Sequence, residues 1–232
     1  MKIRIVITLW MGLVLSLANA QQLKHVQSTN DIKWEWKQEK KFSKTRGQSS
    51  NTLEIIPDKQ YQVIDGFGGC FSELGWKALN NIPNTEQEKI MASLFHPEKG
   101  CKFNICRVSI GANDFADDYY SLNDHYFDYS MEHFSIERDK KNLIPYIKMA
   151  MANNPDLKVW GSPWTPPIWM KKNRHYGGKA TNDTWGPLYG DNMKEIYKNN
   201  RIVNNDKTFT AYANYFTKFV KAYQAEGINL YA

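Results

Sequence analysis

The sequence predicts an α/β fold around a parallel sheet, of the (β/α)8 TIM-barrel type. From about residue 61 onward, short apolar runs alternate with amphipathic segments, and this strand–helix–strand order favours parallel strands. Each unit covers roughly 50 residues, and long polar loops follow the strands, where a TIM barrel carries its active site. A complete barrel has eight units in about 250 residues. With three units and the start of a fourth, the chain is expected to hold a truncated barrel.

The predicted elements follow from apolar periodicity and from turn signals. Strands are expected at 61–67, 103–110, 157–160 and 228–232, and helices at 85–94, 137–153 and 209–225. Asn84 or Thr85 is the expected N-cap of the first helix. Gly227 stands where the third helix should end.

Residues 1–20 predict a signal peptide. Lys2 and Arg4 precede an apolar run, and the small-x-small sequence Ala18-Asn19-Ala20 closes it. The run is shorter than the roughly 20 residues that span a bilayer, although a buried strand or an anchor is the alternative. We therefore expect an exported protein, periplasmic or extracellular, with no integral membrane segment after cleavage. Trp34 and Trp36 indicate a short exposed strand or a mobile lead-in.

Composition argues against several classes of function. The net charge of +6 is spread along the chain without a basic stripe, so nucleic-acid binding is not predicted. Three cysteines lack metal-ligand spacing, and neither a metal nor another cofactor is expected. Cys106 should be a buried thiol. The pairs Lys140–Lys141 and Lys171–Lys172 are expected in solvent.

Arg107 is the first candidate site residue, because it stands inside an apolar strand. Alternation places it on one face with Ile105 and Ser109. A guanidinium there is costly unless a carboxylate or an anionic ligand meets it. Two interpretations stay open: Arg107 pairs with a barrel carboxylate and supports the fold, or it positions catalytic or substrate groups.

Asp114 and Trp164 each follow a predicted strand. The Asp114 carboxylate can accept hydrogen bonds from sugar hydroxyls, or it closes the loop as an Asx-turn. Trp164 belongs to a loop with three prolines, SPWTPPIWM. A rigid indole there offers an apolar face to a sugar, and a packed hydrophobic loop is the alternative. Glu73 is expected to cap or pair near the first helix, with a catalytic role as the weaker alternative.

Four segments together resemble glycoside hydrolase family 30, which includes glucosylceramidases and endo-β-1,6-glucanases. They are IDGFGGCFSE at 64–73, NICRVSIGANDF at 104–115, SPWTPPIWMKKN at 162–173 and YANYFTKFVKAYQAEGINLYA at 212–232, in the family's order and spacing. SIGANDF and SPWTPPIWMK look especially like the glucosylceramidase-type branch.

The resemblance implies a barrel with an attached β-sandwich, to which residues 21–60 give strands, while 61–232 form the first part of the barrel. It also implies retaining hydrolysis of β-glucosides by two glutamates, one in an Asn-Glu-Pro segment on strand four and one on strand seven. This sequence has neither, so the chain alone is expected to be inactive. Arg107, Asp114 and Trp164 match positions that line the −1 sugar site, with Arg107 near the nucleophile, and are the predicted substrate-binding residues.

Two other classes of function compete with this expectation. A non-catalytic carbohydrate-binding protein of the same fold would keep Trp164 and Asp114 without the glutamates. A structural or adhesion module would explain neither the proline-locked tryptophans nor the alternation of strands and helices, and it predicts no glycan binding.

Overall fold

The computed structural model describes residues 25–27, 35–37, 56–177 and 201–232. The chain divides into two units, Met1–Tyr61 and Gln62–Ala232. In the first unit, β1 (His25–Gln27) pairs antiparallel with β2 (Glu35–Lys37), and Val26 stands opposite Trp36. β2 coincides with the short strand that was one expectation around Trp36. The predicted signal peptide lies outside the described residues.

The second unit is built on a three-stranded parallel sheet flanked by helices. Its elements in chain order are β3 (Cys70–Phe71), α1 (Glu73–Asn80), α2 (Asn84–Phe95), β4 (Ile105–Ile110), α3 (Glu137–Lys141), α4 (Leu143–Asn153), β5 (Lys158–Pro163) and α5 (Asp206–Ala225). The sheet order is β3-β4-β5, and both pairings are parallel. The strands expected at 103–110 and 157–160 are thus confirmed as β4 and β5, with shifted ends.

The segment after α5 adds a further parallel run to this sheet. Asn205 caps α5 by accepting a hydrogen bond from the Thr208 amide at 2.8 Å, and Gly227 follows the helix with φ +82°. Leu230 then bridges Val159 in parallel, and the Tyr231 amide donates to the Val159 carbonyl at 2.6 Å. The chain therefore returns beside β5, as the apolar run at 228–232 predicts.

The prediction of a strand at 61–67 is wrong. The first strand of the sheet is β3, and the residues before Gly68 run beside β4 without regular pairing, although Phe67 exchanges hydrogen bonds with Asn104. A Cβ on Gly68 would lie 1.8 Å from the Ile105 carbonyl oxygen. The backbone approaches β4 too closely for a side chain at Gly68, which is why a glycine stands there.

The prediction of a single helix at 137–153 is also wrong, because the segment is divided at Asn142 into α3 and α4. Pro145 explains the break: it has no N–H to donate, and its ring would meet the carbonyl of residue 141 in a continuous helix. In α4 the proline falls in the first turn, where an amide has no helical partner in any case. The expected cap of α2 is wrong as well, since Pro83 precedes the helix and no side chain caps it.

The core lies between the sheet and the helices. Val108 of β4, Val159 of β5 and Phe219 of α5 are almost fully buried. Cys106 is 2% exposed, as its place in the strand predicts. Tyr215 and Tyr223 of α5 are buried in the same core. Among the described residues, no helix combines the length and the apolar character needed to cross a bilayer.

Candidate functional site

A cavity of about 580 Å³ lies beyond the carboxyl ends of β4 and β5. The loop after β4 lines it with Asn113, Asp114 and residues 116–119, and the loop after β5 lines it with Trp164 and Thr165. Further along the chain, Lys171, Tyr176 and Gly177 complete the lining. Because parallel strands end at the same edge of a sheet, the loops that follow them meet, and polar groups from distant positions converge.

The structure brings the three sequence-predicted residues to this region. Asp114 and Trp164 both line the cavity. Arg107 is not part of the lining, but its guanidinium carbon lies 5.5 Å from the ring centre of Trp164 and 6.0 Å from that of Trp160. Both distances fall within the range of cation–π attraction. Arg107 therefore holds the indole that faces the cavity.

Arg107 has no carboxylate within salt-bridge distance in the part of the chain that the structure describes. Its Nε donates to the Cys70 sulfur at 3.3 Å. Register places Arg107 opposite Cys70 on one side and Trp160 on the other, so neighbouring strands supply both contacts. The guanidinium thus keeps N–H groups for a negatively charged or hydroxyl-bearing group that approaches the strand end.

The Asx-turn in the loop after β4 is made by Asn113. The side-chain oxygen of Asn113 accepts a hydrogen bond from the Phe115 amide at 2.8 Å. Gly111, with φ +82°, turns the chain out of β4 just before it. Since Asn113 closes the turn, the exposed Asp114 carboxylate is left to face the cavity as a hydrogen-bond acceptor.

The expectation that Lys171 lies in solvent is wrong. It is 3% exposed, and its Nζ donates to Thr165 Oγ1 at 2.9 Å and to the carbonyls of Tyr176 at 2.9 Å and Gly177 at 3.1 Å. Burial lowers the pKa of Lys171 to about 8. The ammonium fastens the residue after Trp164 to a distant turn, so it stiffens the cavity wall.

Tyr119 and Tyr176 form an aromatic pair in the cavity lining. Their ring centres are 5.1 Å apart, with an angle of 21° between the planes. The Tyr176 hydroxyl donates to the Ala112 carbonyl at 2.5 Å, and burial is the main cause that raises its pKa. Tyr119 itself is 55% exposed. The pair gives the cavity a second aromatic wall besides Trp164.

Glu73 forms an ion pair, but it does so with Arg138 of α3 and at the start of α1, a helix that was not predicted, rather than near the helix expected at 85–94. It opens α1, is 2% exposed, and accepts two hydrogen bonds from Arg138, at 2.7 and 2.8 Å. Asn142 donates to it at 3.0 Å and the Asp117 amide at 2.9 Å. Burial alone would raise the pKa of Glu73, but these bonds and the guanidinium charge lower it. Glu73 is thus an ionised anchor for the cavity rim.

Two more buried carboxylates anchor the same loop. Asp128 accepts hydrogen bonds from Asn123, Ser130 and the amides of residues 132 and 133. Burial would raise the pKa of Asp128, but these bonds hold it well below its usual range. Among the described residues, Asp139 accepts from the hydroxyls of Tyr120 at 3.0 Å and Tyr223 at 2.8 Å, and burial raises its pKa to about 6.

The pattern of the whole barrel segment decides the family. Residues 64–232 match the model described as the glycosyl hydrolase family 30 TIM-barrel domain. The chain belongs to glycosyl hydrolase family 30. This confirms the family expected from its four motifs, and the three parallel strands are part of the family's barrel.

Relatives of this family 30 chain carry two kinds of name. The lysosomal acid glucosylceramidase of Mus musculus is 31% identical over 184 residues, 78% of this chain and 32% of that protein. The endo-1,6-beta-D-glucanase of Neurospora crassa is 27% identical over 182 residues, 77% of this chain and 34% of that protein. Among solved structures, the endo-beta1,6-glucanase BT3312 superposes with a TM-score of 0.59 at 27% identity, covering 76% of this chain and 35% of the other. This chain thus spans about a third of the length of each.

The sequence did not predict two of the three aromatic residues that line this family 30 cavity. Tyr119 and Tyr176 stand in polar loops, where a tyrosine carries no local sign of a binding role. The only usable signal for Tyr119 was its position five residues after Asp114, in the same loop. Lys171 had no such signal, since two of its three acceptors are backbone carbonyls.

Proposed function

We propose that this chain forms the sugar-binding part of a retaining β-glucoside hydrolase, acting either on a glucosylceramide-like conjugate or on a β-1,6-glucan. The observation that carries the proposal is the cavity that Asp114 and Trp164 both line, with the Arg107 guanidinium in cation–π contact with Trp164. The names of the glucosylceramidase and glucanase relatives support a β-linked glucose as the ligand.

The three side chains offer complementary contacts to one pyranose ring. Trp164 is 41% exposed, so its face can stack on the C–H face of a sugar while its N–H donates. The Asp114 carboxylate accepts from ring hydroxyls through charge-assisted bonds. Arg107, which the family resemblance assigns to the neighbourhood of the nucleophile, keeps N–H groups that can donate to the carboxylate of that nucleophile.

Retaining hydrolysis needs two carboxyl groups about 5–5.5 Å apart, one as nucleophile and one as acid and then base. Glu73 is engaged by Arg138, and Asp65 accepts from Tyr231 at 3.0 Å. Each of these carboxylates therefore already has a structural partner. The two glutamates implied by the resemblance are not among these 232 residues, so we propose that the chain alone binds sugar but does not turn it over.

The test is an NMR titration, in which methyl β-glucoside is added to the 232-residue chain and the protein resonances report binding. Asp114→Ala and Trp164→Ala are expected to weaken binding about tenfold or more, since a charge-assisted hydrogen bond or a stacked ring contributes about 1–3 kcal/mol. Asp156→Ala, on an exposed turn before β5, is the matched control and should bind as the wild type does. Wild-type protein that does not bind the glucoside refutes the proposal.

Turnover separates the catalytic part of the proposal from the binding part. The chain is expected to leave an aryl β-glucoside intact, and turnover that Asp114→Asn or Glu73→Gln abolishes would overturn this. An Asn-Glu-Pro encoded soon after codon 232 favours the hydrolase. A stop codon there favours the non-catalytic carbohydrate-binding protein.

The remaining parts of the proposal concern the amino terminus. We propose export through the signal peptide at residues 1–20, and strands from 21–60 in a β-sandwich beside the barrel. Amino-terminal sequencing of protein secreted from its host is expected to begin at Gln21. Protein that stays in the cytoplasm with Met1 intact would contradict export.

A further inference from the structure

Cys70 of β3 lies opposite Arg107 of β4 in the parallel register and outside the cavity lining. We propose that Cys70 is a positioning residue, whose sulfur holds one edge of the Arg107 guanidinium and thereby keeps the Trp164 ring ready for the sugar. This inference rests on the proposed function, because it requires the sugar to bind at Trp164 and Asp114. It adds to that function a residue that touches no ligand and acts only through Arg107.

The contact with Cys70 occupies the Nε edge of the guanidinium. Arg107 Nε donates to the Cys70 sulfur at 3.3 Å, and this sulfur is the hydrogen-bond acceptor that the described part of the chain offers to the Arg107 side chain. The guanidinium is planar, and its other N–H groups are on the two Nη atoms. Once the Nε edge is held, rotation of the plane is restricted, while the Nη groups remain free to donate.

The thiol that makes this contact is itself oriented. Its S–H donates to the Phe71 carbonyl at 3.4 Å, which leaves the sulfur lone pairs to accept from Arg107. The two backbones are fixed beside each other, because the Arg107 amide donates to the Gly69 carbonyl at 2.9 Å. Sulfur is a weak acceptor, but a charged donor makes the hydrogen bond stronger. The sulfur therefore stands at a defined place beside the guanidinium.

The position of Arg107 affects the tryptophan that faces the cavity. Trp160 lies opposite Arg107 in β5, so Cys70 and Trp160 flank the guanidinium from neighbouring strands, and the Trp164 ring centre lies 5.5 Å from its carbon. A partly exposed arginine without an anchor samples several rotamers, and a ligand that needs one of them binds more weakly. The contact with the sulfur removes part of this freedom before the sugar arrives.

The test compares variants of Cys70 in the 232-residue chain by the same NMR titration with methyl β-glucoside. Cys70→Val has a side chain of similar size that cannot accept a hydrogen bond, and it is expected to weaken binding about fivefold. Cys70→Ser keeps an acceptor and should bind within about twofold of the wild type. Cys101→Ala removes another exposed thiol and is the matched control, which should bind as the wild type does.

A second measurement separates positioning from a general effect on the fold. The Nε–H resonance of Arg107, assigned by its loss in Arg107→Lys, should shift in Cys70→Val and stay near its wild-type position in Cys70→Ser. The midpoint of thermal unfolding should change little in both variants, because Cys70 is exposed.

The possible failures are distinguishable. If Cys70→Val binds methyl β-glucoside as tightly as the wild type, or leaves the Arg107 resonance unshifted, the positioning role is overturned and the proposed function stands. Equal weakening in Cys70→Val and Cys70→Ser also overturns it, because the acceptor would then have no part in the effect. If the wild type itself does not bind the glucoside, the proposed function fails and the positioning role fails with it.

Discussion

Replacing Glu73 by glutamine tests whether a buried ion pair holds the rim of the cavity. The Glu73 carboxylate accepts from both Arg138 and the Asp117 amide, so it connects α1, α3 and the loop after β4. Glutamine has nearly the same shape but carries no charge, and its NH2 group cannot accept. The variant therefore leaves Arg138 without its counter-charge and at least one donor without an acceptor.

The size of the effect follows from how deeply each partner is buried. Breaking a fully buried pair costs about 3–5 kcal/mol, because the remaining charge is left uncompensated. The Glu73 side chain is 2% exposed, but that of Arg138 is 32% exposed, and the guanidinium also lies 4.0 Å from the Tyr120 ring centre. Water and the ring offset part of the loss, so we expect Glu73→Gln to lower the free energy of unfolding by about 2–3 kcal/mol.

The same carboxylate predicts how the effect depends on pH. Its pKa is lowered in the folded protein, so the stability it contributes is fully present above the unfolded value of about 4.3 and is lost as the pH falls through the folded value. The difference between wild type and Glu73→Gln should therefore be constant from pH 7 to about 5 and shrink below that.

Urea unfolding followed by tryptophan fluorescence at pH 7, 5 and 3.5 measures both expectations. Glu86→Gln is the matched control, because Glu86 makes an exposed pair with Lys89 at 2.7 Å, and such a pair contributes about 0.2–0.5 kcal/mol. If Glu73→Gln costs no more than Glu86→Gln, or if its cost does not change down to pH 3.5, the carboxylate is not the anchor described here.

Three further predictions concern other groups. The pKa of Asp139, raised to about 6, means that stability falls as pH rises from about 4 to 6, by up to about 3 kcal/mol; Asp139→Asn should abolish this slope in urea unfolding. The pKa of Lys171, lowered to about 8, means that the unfolded chain binds more protons between pH 8 and about 10.5, so wild type should gain stability relative to Lys171→Met over that interval. Gly227→Ala should cost about 1 kcal/mol from its positive φ alone, whereas Gly100→Ala should cost more in thermal unfolding, since its Cβ would also lie 1.9 Å from the Ser93 carbonyl oxygen.

The sequence predicted those parts of the fold whose signals are local. β4, β5 and α5 carry unbroken apolar periodicity, and the structure confirms them. Pro145 also carried a local signal, which was outweighed by the apolar spacing on both sides of it. The helix α1 was missed although Ser72 caps it by accepting from the Gly75 amide, because a glycine-rich turn precedes it and hides its start.

The site was predictable only where one residue type had an unusual local setting. An arginine in an apolar strand and a tryptophan among prolines are visible in the sequence, so Arg107 and Trp164 could be named. The roles of Lys171 and Tyr119 depend on partners that the fold brings to them, the carbonyls of a later turn and the ring of Tyr176. No periodicity or spacing carries that information.

The three buried carboxylates explain how so long a loop can form a defined wall. Loops of this length without secondary structure are rare in compact domains unless they serve a function, and a mobile one would have to be ordered by its ligand at a cost in affinity. Three buried carboxylates fix the loop after β4 here, those of Glu73, Asp128 and Asp139. They differ in the groups that donate hydrogen bonds to them. The guanidinium of Arg138 keeps Glu73 ionised, and several amides keep Asp128 ionised. The two phenol hydroxyls that donate to Asp139 are too few to offset the effect of its burial.

Acid should therefore weaken the Glu73 anchor while it relieves the cost of burying a charged Asp139, so the cavity rim near Asp117 should loosen first when the pH is lowered. Amide hydrogen exchange at pH 5 and pH 3.5 checks this order, and faster opening at Tyr120 than at Asp117 would contradict it.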